Sequence, residues 1–306
     1  MTTAAPTIAE TTTKRPSSFV LGLSLAAMLV MWAVNYVAGK VALRYLDGVT
    51  LASFRIVLAA LVILPIYLLR QNRQRLGMRE IRQISWIGMF LILNQFCFTV
   101  GLGHTSAGHS SMILATGPIT VLLFARLMRM ESHTTAKLIG MGIACAGVAI
   151  LATEQGLDIR RSATLTGDII TLTGTTIFSV YAVLGKRIAR QYDSLSMNSI
   201  SFFVGAIVFF PLALWKGLRL NWASIPWSGW AGLFYMAAAS SVAAYLLFYW
   251  VLRYMDASRV TAVNYLQPVG AIIVAALFLG EVPTWHLLAG GALILLGVYL
   301  AERGPS

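Results

Sequence analysis

Ten apolar runs, each about 18 to 26 residues long and separated by short polar connections, dominate this chain. They fall at about 19–39, 49–69, 84–103, 107–128, 136–153, 166–185, 195–215, 227–252, 257–279 and 284–301. A helix crossing a bilayer core of about 30 Å needs about 20 consecutive apolar residues. Ten runs of that size predict an all-α, polytopic membrane protein of ten transmembrane helices. The composition excludes the alternatives: 58% of the 306 residues are hydrophobic and 11% are charged. So few charges cannot solvate a globule of this size, and disorder tolerates far less apolar surface. The first run is too long for a signal-peptide core and is expected to stay in the protein. Residues 1–18, rich in Thr, are expected to form a flexible cytoplasmic tail.

The net charge of +12 does not point to nucleic acid. Lysines and arginines sit in the connections and do not form a folded basic face with interleaved aromatic residues. Most fall in alternate connections, beginning with Lys14 and Arg15 in the N-terminal tail and including Arg70, Arg73, Arg75, Arg79 and Arg82. Positive charge marks the cytoplasmic side of membrane proteins. Both termini are therefore expected in the cytoplasm. Cys97 and Cys145 lie inside apolar runs, with no spacing for a metal or a disulfide.

The two halves repeat each other. A shift of 146 residues places Gly39-Lys40 on Gly185-Lys186, Arg44 on Arg190, Asp47 on Asp193 and Pro65 on Pro211. Further on, Pro118 corresponds to Pro268, Glu131 to Glu281, Gly140 to Gly290 and Gly147 to Gly297. Shared hydropathy alone would not pair prolines and acids in this way. The expected units are 19–154 and 165–302, five spans each. An odd number of spans sends the second half into the membrane from the opposite side. Such an inverted repeat puts a substrate site near midplane and lets the halves open toward each compartment in turn.

The segment Arg253-Tyr254 through Gln267-Pro268, Leu279-Gly280-Glu281 and Gly290-Gly291-Ala292 to Gly297-Val298 resembles the repeat unit of EamA-type transporters. The earlier segment from His104 to His109, Gly117-Pro118 and Met130-Glu131 resembles it too, with Arg129-Met130-Glu131 replacing the Leu-Gly-Glu of the second half. Tandem five-helix repeats of this kind mark the drug/metabolite transporter superfamily, and the likeness covers about residues 19–302. Within it the chain is most similar to bacterial exporters of aromatic amino acids. The resemblance implies alternating-access export of Phe, Trp, Tyr, Leu or Met through the cell inner membrane. Export of drugs, organic cations or another small metabolite is the alternative, and an intramembrane enzyme a further one. No Gly-x-Ser-x-Gly elbow, His-Glu-x-x-His pair or phosphate loop supports catalysis, and no cofactor is implied.

Candidate pathway residues follow helical spacing. Trp32, Asn35, Tyr36 and Gly39 share a stripe, as do Phe178, Tyr181, Ala182 and Gly185. Aromatic rings with polar tips suit a largely apolar metabolite, although a packing seam would look the same. Asn94, Gln95 and Thr99 lie deep in the third run and must face the bundle interior or water. Asn264 and Tyr265 share a face with Thr261 and Pro268, and Tyr245 shares one with Tyr235, Val242 and Tyr249 beside Ser240 and Ser241. Pro118 and Pro268 are candidate gating kinks. Arg55 is the one charge clearly inside a run, close enough to its end to snorkel or to meet a substrate carboxylate. No carboxylate stands near midplane, so carriage down the substrate's own gradient is expected, with His104 and His109 as the remaining proton carriers.

Overall fold

A computed structural model of the chain describes residues 16–70, 76–117, 119–121, 124, 135–153, 163–188, 191–254 and 266–303. Its described helices are α1 (Ser18–Leu43), α2 (Gly48–Leu69), α3 (Met78–His104), α4 (Ala107–Leu114), α5 (Thr135–Ala152), α6 (Ala163–Ile188), α7 (Ser194–Leu218), α8, α9 (Leu266–Leu279) and α10 (Trp285–Arg303). α8 begins as the α-helix Trp227–Tyr235, widens into a π-helical segment, Met236–Ala243, and continues as Ala244–Leu252. Six of these helices are long and apolar enough to cross a membrane, and Ile139–Leu151, Leu266–Leu279 and Trp285–Gly297 are shorter apolar helices. The described residues thus form an all-helical, multi-pass membrane protein. Leu23, Val30, Leu61, Ile207, Leu277 and Phe278 point outward, where lipid and not water would meet them.

Local chemistry sets the helix ends. Ser17 caps α1, its hydroxyl accepting the Val20 N–H at 3.3 Å, and Ser106 caps α4 through His109 N–H at 3.0 Å. Asp47 accepts from Val49 N–H and Thr50 N–H at the start of α2, and Asp193 from Ser196 N–H at the start of α7. A capping side chain satisfies backbone donors that the helix itself leaves unpaired. Gly280 ends α9 with φ +68°, a conformation that favours a residue without a Cβ.

The same two aspartates join α2 to α7. Lys216, in the last turn of α7, donates to both Asp47 carboxylate oxygens at 3.3 Å. Arg70, just past α2, pairs with Asp193. Each helix start therefore meets the other's end, so α2 and α7 run antiparallel. The two ion pairs are also related by the sequence shift, 47 to 193 and 70 to 216. Burial alone would raise the pKa of both acids. Hydrogen bonds from Thr50 and Lys216 at Asp47, and from Ser196 and Arg70 at Asp193, outweigh it and hold both below the usual carboxylate range.

α5 and α10 form a second antiparallel pair. A Cβ on Gly147 would lie 2.6 Å from the Gly290 carbonyl oxygen, and one on Gly297 2.5 Å from the Gly140 carbonyl oxygen. Backbone approach this close needs the small residues that both helices carry. α3 packs along α6, α1 along α8 and α9, and α4 against α6 and α9. Two of the apolar clusters between the helices lie one above the other along α1. One gathers Trp32, Tyr181, Tyr245, Phe248 and Tyr249 toward the Arg70–Asp193 end. The other gathers Tyr36, Leu51, Phe98, Leu102 and Met236 toward the Asp47–Lys216 end.

Candidate functional site

Where the two clusters meet, α1, α2, α3, α4, α6, α8 and α9 surround a cavity with about 780 Å³ of space not filled by atoms, its open mouth included. Trp32, Tyr36, Asn94, Gln95, Phe178 and Tyr245 line it, brought together from four helices. Tyr181 stands behind the wall, its ring 5.7 Å from Phe178 and 6.2 Å from Tyr249. Pro268 is buried in α9, next to the lining residue Gln267. Asn264, Tyr265, Pro118 and Glu131 lie outside the described residues.

Arg55 is the centre of the polar wall. The position near a helix end left room for snorkelling, yet the side chain turns inward and is only 2% exposed. Its Nε donates to Ser241 Oγ at 2.9 Å, and its terminal nitrogens donate to Thr99 Oγ1 at 3.3 Å and Ser240 Oγ at 3.4 Å. The Phe98 ring lies 5.9 Å from the guanidinium. Three hydroxyls hold the fork in place and bring no negative charge. Among the described residues no carboxylate reaches Arg55.

The π-helical segment of α8 makes this arrangement. One residue more per turn shifts Ser240 and Ser241 onto the inner face and frees backbone carbonyls, a geometry that recurs at functional sites. The Ser241 hydroxyl lies 2.8 Å from Met236 O, five residues back, and 2.9 Å from Gln95 Oε1. Trp32 Nε1 donates to Ser240 O at 3.3 Å, and Asn198 Nδ2 to Val242 O at 3.2 Å. Side chains from α1, α3 and α7 therefore satisfy the segment.

Asn94 and Gln95, adjacent in sequence, have different work. Asn94 Nδ2 donates to Gly174 O at 2.9 Å and ties α3 to α6. Among the described residues, the Gln95 amide nitrogen, Asn35 Oδ1 and the Tyr36 hydroxyl have no hydrogen-bond partner. All three residues line the cavity. An unsatisfied buried polar group costs about 1–3 kcal/mol, so a polar ligand reaching these three atoms would be stabilised by them. Asn35, Phe98, Thr175, Ser240 and Gln267 complete the wall although the stripes did not single them all out as ligands. Gln267 was visible as the neighbour of a motif proline, and Thr175 one turn before Phe178. The widening of α8 has no signature in its sequence, Met-Ala-Ala-Ala-Ser-Ser-Val-Ala.

The two histidines differ. His104 is exposed at the end of α3, and His109 is buried with Nδ1 3.0 Å from Asp168 Oδ2. Thr105 donates to the other Asp168 oxygen at 2.6 Å. Asp168 stands in the second turn of α6, so the pair links that end of α6 to α4. Glu281 accepts from Ala107 N–H at 3.4 Å, which orders the start of α4.

Comparison with known proteins places the architecture. The chain is similar over 279 residues to an uncharacterized transporter of Archaeoglobus fulgidus, 28% identical, covering 91% of this chain and 96% of that one. It is 25% identical over 284 residues to a protein of Streptantibioticus cattleyicolor named "probable terminal-alkyne amino-acid exporter", covering 92% of each. A solved crystal structure aligns with a TM-score of 0.63 at 18% identity over 93% of this chain and 97% of that one, a likeness of fold. The EamA-like transporter family model matches twice, at residues 20–153 and 165–302. With these two matches spanning the apolar helices, the chain belongs to the EamA-like transporter family and is a membrane transporter.

Proposed function

We propose that this transporter carries amino acids with aromatic or other large neutral side chains. The observation that carries the reading is Arg55: a buried guanidinium, fixed by hydroxyls and without an acid among the described residues, facing the cavity beside the orphaned polar atoms of Gln95, Asn35 and Tyr36. Arg55 and the Gln95 amide match a carboxylate. Asn35 Oδ1 and the aromatic faces suit the ammonium group. Trp32, Phe178, Phe98 and Tyr245 offer the remaining wall to an apolar side chain. A second carboxylate or ammonium would lie among rings with nothing to pair it. An organic cation would meet the guanidinium, which disfavours the alternative substrate class. The exporter named among the relatives supports amino acids as the class.

The reading extends to the cycle. The units 19–154 and 165–302 act as an inverted repeat, a relation supported by the antiparallel α2–α7 and α5–α10 pairs and by the two reciprocal ion pairs. Tyr181, Asn264 and Tyr265 join the pathway as the cavity changes shape, and Pro118 and Pro268 bend the gating helices. Export runs across the cell inner membrane with both termini cytoplasmic, by facilitated carriage.

Counterflow in liposomes tests this. Purified protein is reconstituted with internal unlabelled Phe, and entry of labelled Phe is followed. Phe, Tyr, Trp, Leu and Met are expected to compete with one another, and Asp, Glu and Lys to fail. Equal transport of charged and neutral amino acids, or carriage of organic cations with no amino acid exchange, would overturn the assignment.

A further inference from the structure

On the outer surface at the Asp47–Lys216 end, α2, α7 and α8 enclose a long apolar groove that is separate from the central cavity. Phe54 and Leu61 of α2, Phe210 and Leu214 of α7, and Trp230 and Phe234 of α8 form its walls. Its floor is made of small residues, among them Ala213, Ala238 and Ala239. The groove follows α8 from Trp227 to Ala239, twelve steps along the helix, or about 18 Å at 1.5 Å per residue. Half of a hydrocarbon core of about 30 Å is about 15 Å. The groove is therefore as deep as a single leaflet.

Its shallow end is finished differently. The connection after α7 folds back, and Trp222 stacks between Phe54 at 5.7 Å and Trp230 at 5.5 Å, the two indoles within 7° of parallel. Trp222 Nε1 donates to Gly217 O at 2.9 Å, which fixes the ring over the groove. Indoles collect at the level of lipid headgroups. Two cations follow in the same stretch of chain, flanked by the groove residues Leu214, Gly217, Leu218 and Leu220. Arg219 lies over the Trp215 ring at 4.4 Å, and Lys216, already paired with Asp47, sits 5.7 Å from the same ring. Among the described residues no carboxylate reaches Arg219. A planar guanidinium stacked on one face keeps its edge N–H groups directed outward, the geometry that fits phosphate.

We infer that this groove is a binding site for one anionic phospholipid, with an acyl chain along α8 and its phosphate at Arg219 and Lys216. Depth selects a lipid of the adjoining leaflet, and the guanidinium of Arg219, the one of the two cations that Asp47 does not pair, selects the headgroup. The site has a direct line to the cavity, because Ala238 and Ala239 on its floor belong to the π-helical segment whose next residues, Ser240 and Ser241, hold Arg55. An acyl chain against that floor would keep the segment from relaxing outward.

Native mass spectrometry of the full chain in detergent, incubated with equal amounts of phosphatidylglycerol and phosphatidylcholine, tests the site without relying on transport or on the substrate. The wild-type chain is expected to retain one phosphatidylglycerol, several-fold in preference to phosphatidylcholine. Arg219→Gln should abolish the preference while a lipid adduct remains. Ala231→Trp, at an exposed position that overhangs the groove, should lose the adduct with both lipids. Equal retention of the two lipids by the wild type would overturn the inference, as would full retention by Ala231→Trp. So would a wild-type dimer that Ala231→Trp separates, which would make a second copy the occupant. Should Ala231→Trp fail to give a cooperative thermal transition, the headgroup preference of Arg219→Gln decides.

Discussion

A guanidinium inside a bilayer-spanning bundle is expensive, several kcal/mol even after relaxation, unless charge and hydrogen bonds both compensate it. At Arg55 the hydrogen bonds are present and, among the described residues, the charge is not, which is costly in the resting protein and, on the proposed function, leaves the side chain to a ligand. The two effects separate in one variant. Arg55→Gln should weaken competition by neutral amino acids in counterflow ten-fold or more, the loss of a charge-assisted hydrogen bond worth about 1.5–3 kcal/mol. Its melting temperature should hold or rise, because an uncompensated buried charge has gone. Unchanged competition with a clear fall in melting temperature would make Arg55 a structural residue instead.

Among the elements, α8 and the α5–α10 pair show opposite uses of small residues. In α8, the widened turn carries small residues, and two of them, Ser240 and Ser241, turn their hydroxyls toward Arg55. In α5 and α10, glycines bring backbones into contact. Gly297 has the Gly140 carbonyl oxygen and the Ala144 nitrogen 2.5 Å from where a Cβ would sit, whereas Gly142 on the same pair has nothing within 4 Å. Gly297→Ala should therefore destabilise the protein by about 1–3 kcal/mol, because backbone atoms cannot step aside. Gly142→Ala should be neutral or slightly stabilising, through helix propensity alone. Thermal unfolding of the two variants in one detergent checks this, and equal effects would place the tight seam elsewhere.

For the molecule as a whole, the reciprocal pairs Asp47–Lys216 and Asp193–Arg70 fasten α2 to α7 at both ends. If the halves rock about the cavity, each end must loosen in turn. Cysteine pairs at 47 and 216, or at 70 and 193, in a background without Cys97 and Cys145, can be bridged by a short reducible cross-linker. Each bridge is expected to stop most counterflow, with recovery on reduction, and to deny labelled substrate access from one face only. Full-speed exchange with both ends bridged would mean that α2 and α7 move as one body.

The membrane class and the approximate extents of the six long helices were legible because hydropathy adds up along the chain and a bilayer imposes its own length on each run. The correspondence of Asp47 with Asp193 was legible as well, although only the fold shows each acid capping one helix while pairing with the end of the other. Helix orientation is what hydropathy leaves open. On a helix that is apolar all round, no stripe of charge tells which face turns inward, and packing partners decide. Asn94 and Gln95 looked alike in the chain and both line the cavity. Yet Asn94 spends its amide nitrogen on Gly174 O, whereas that of Gln95 has no partner among the described residues. Arg55 could have reached toward the membrane surface. Hydroxyls presented by a widened turn of α8, some 185 residues away along the chain, draw it to the centre, and no local sequence encodes a meeting at that distance.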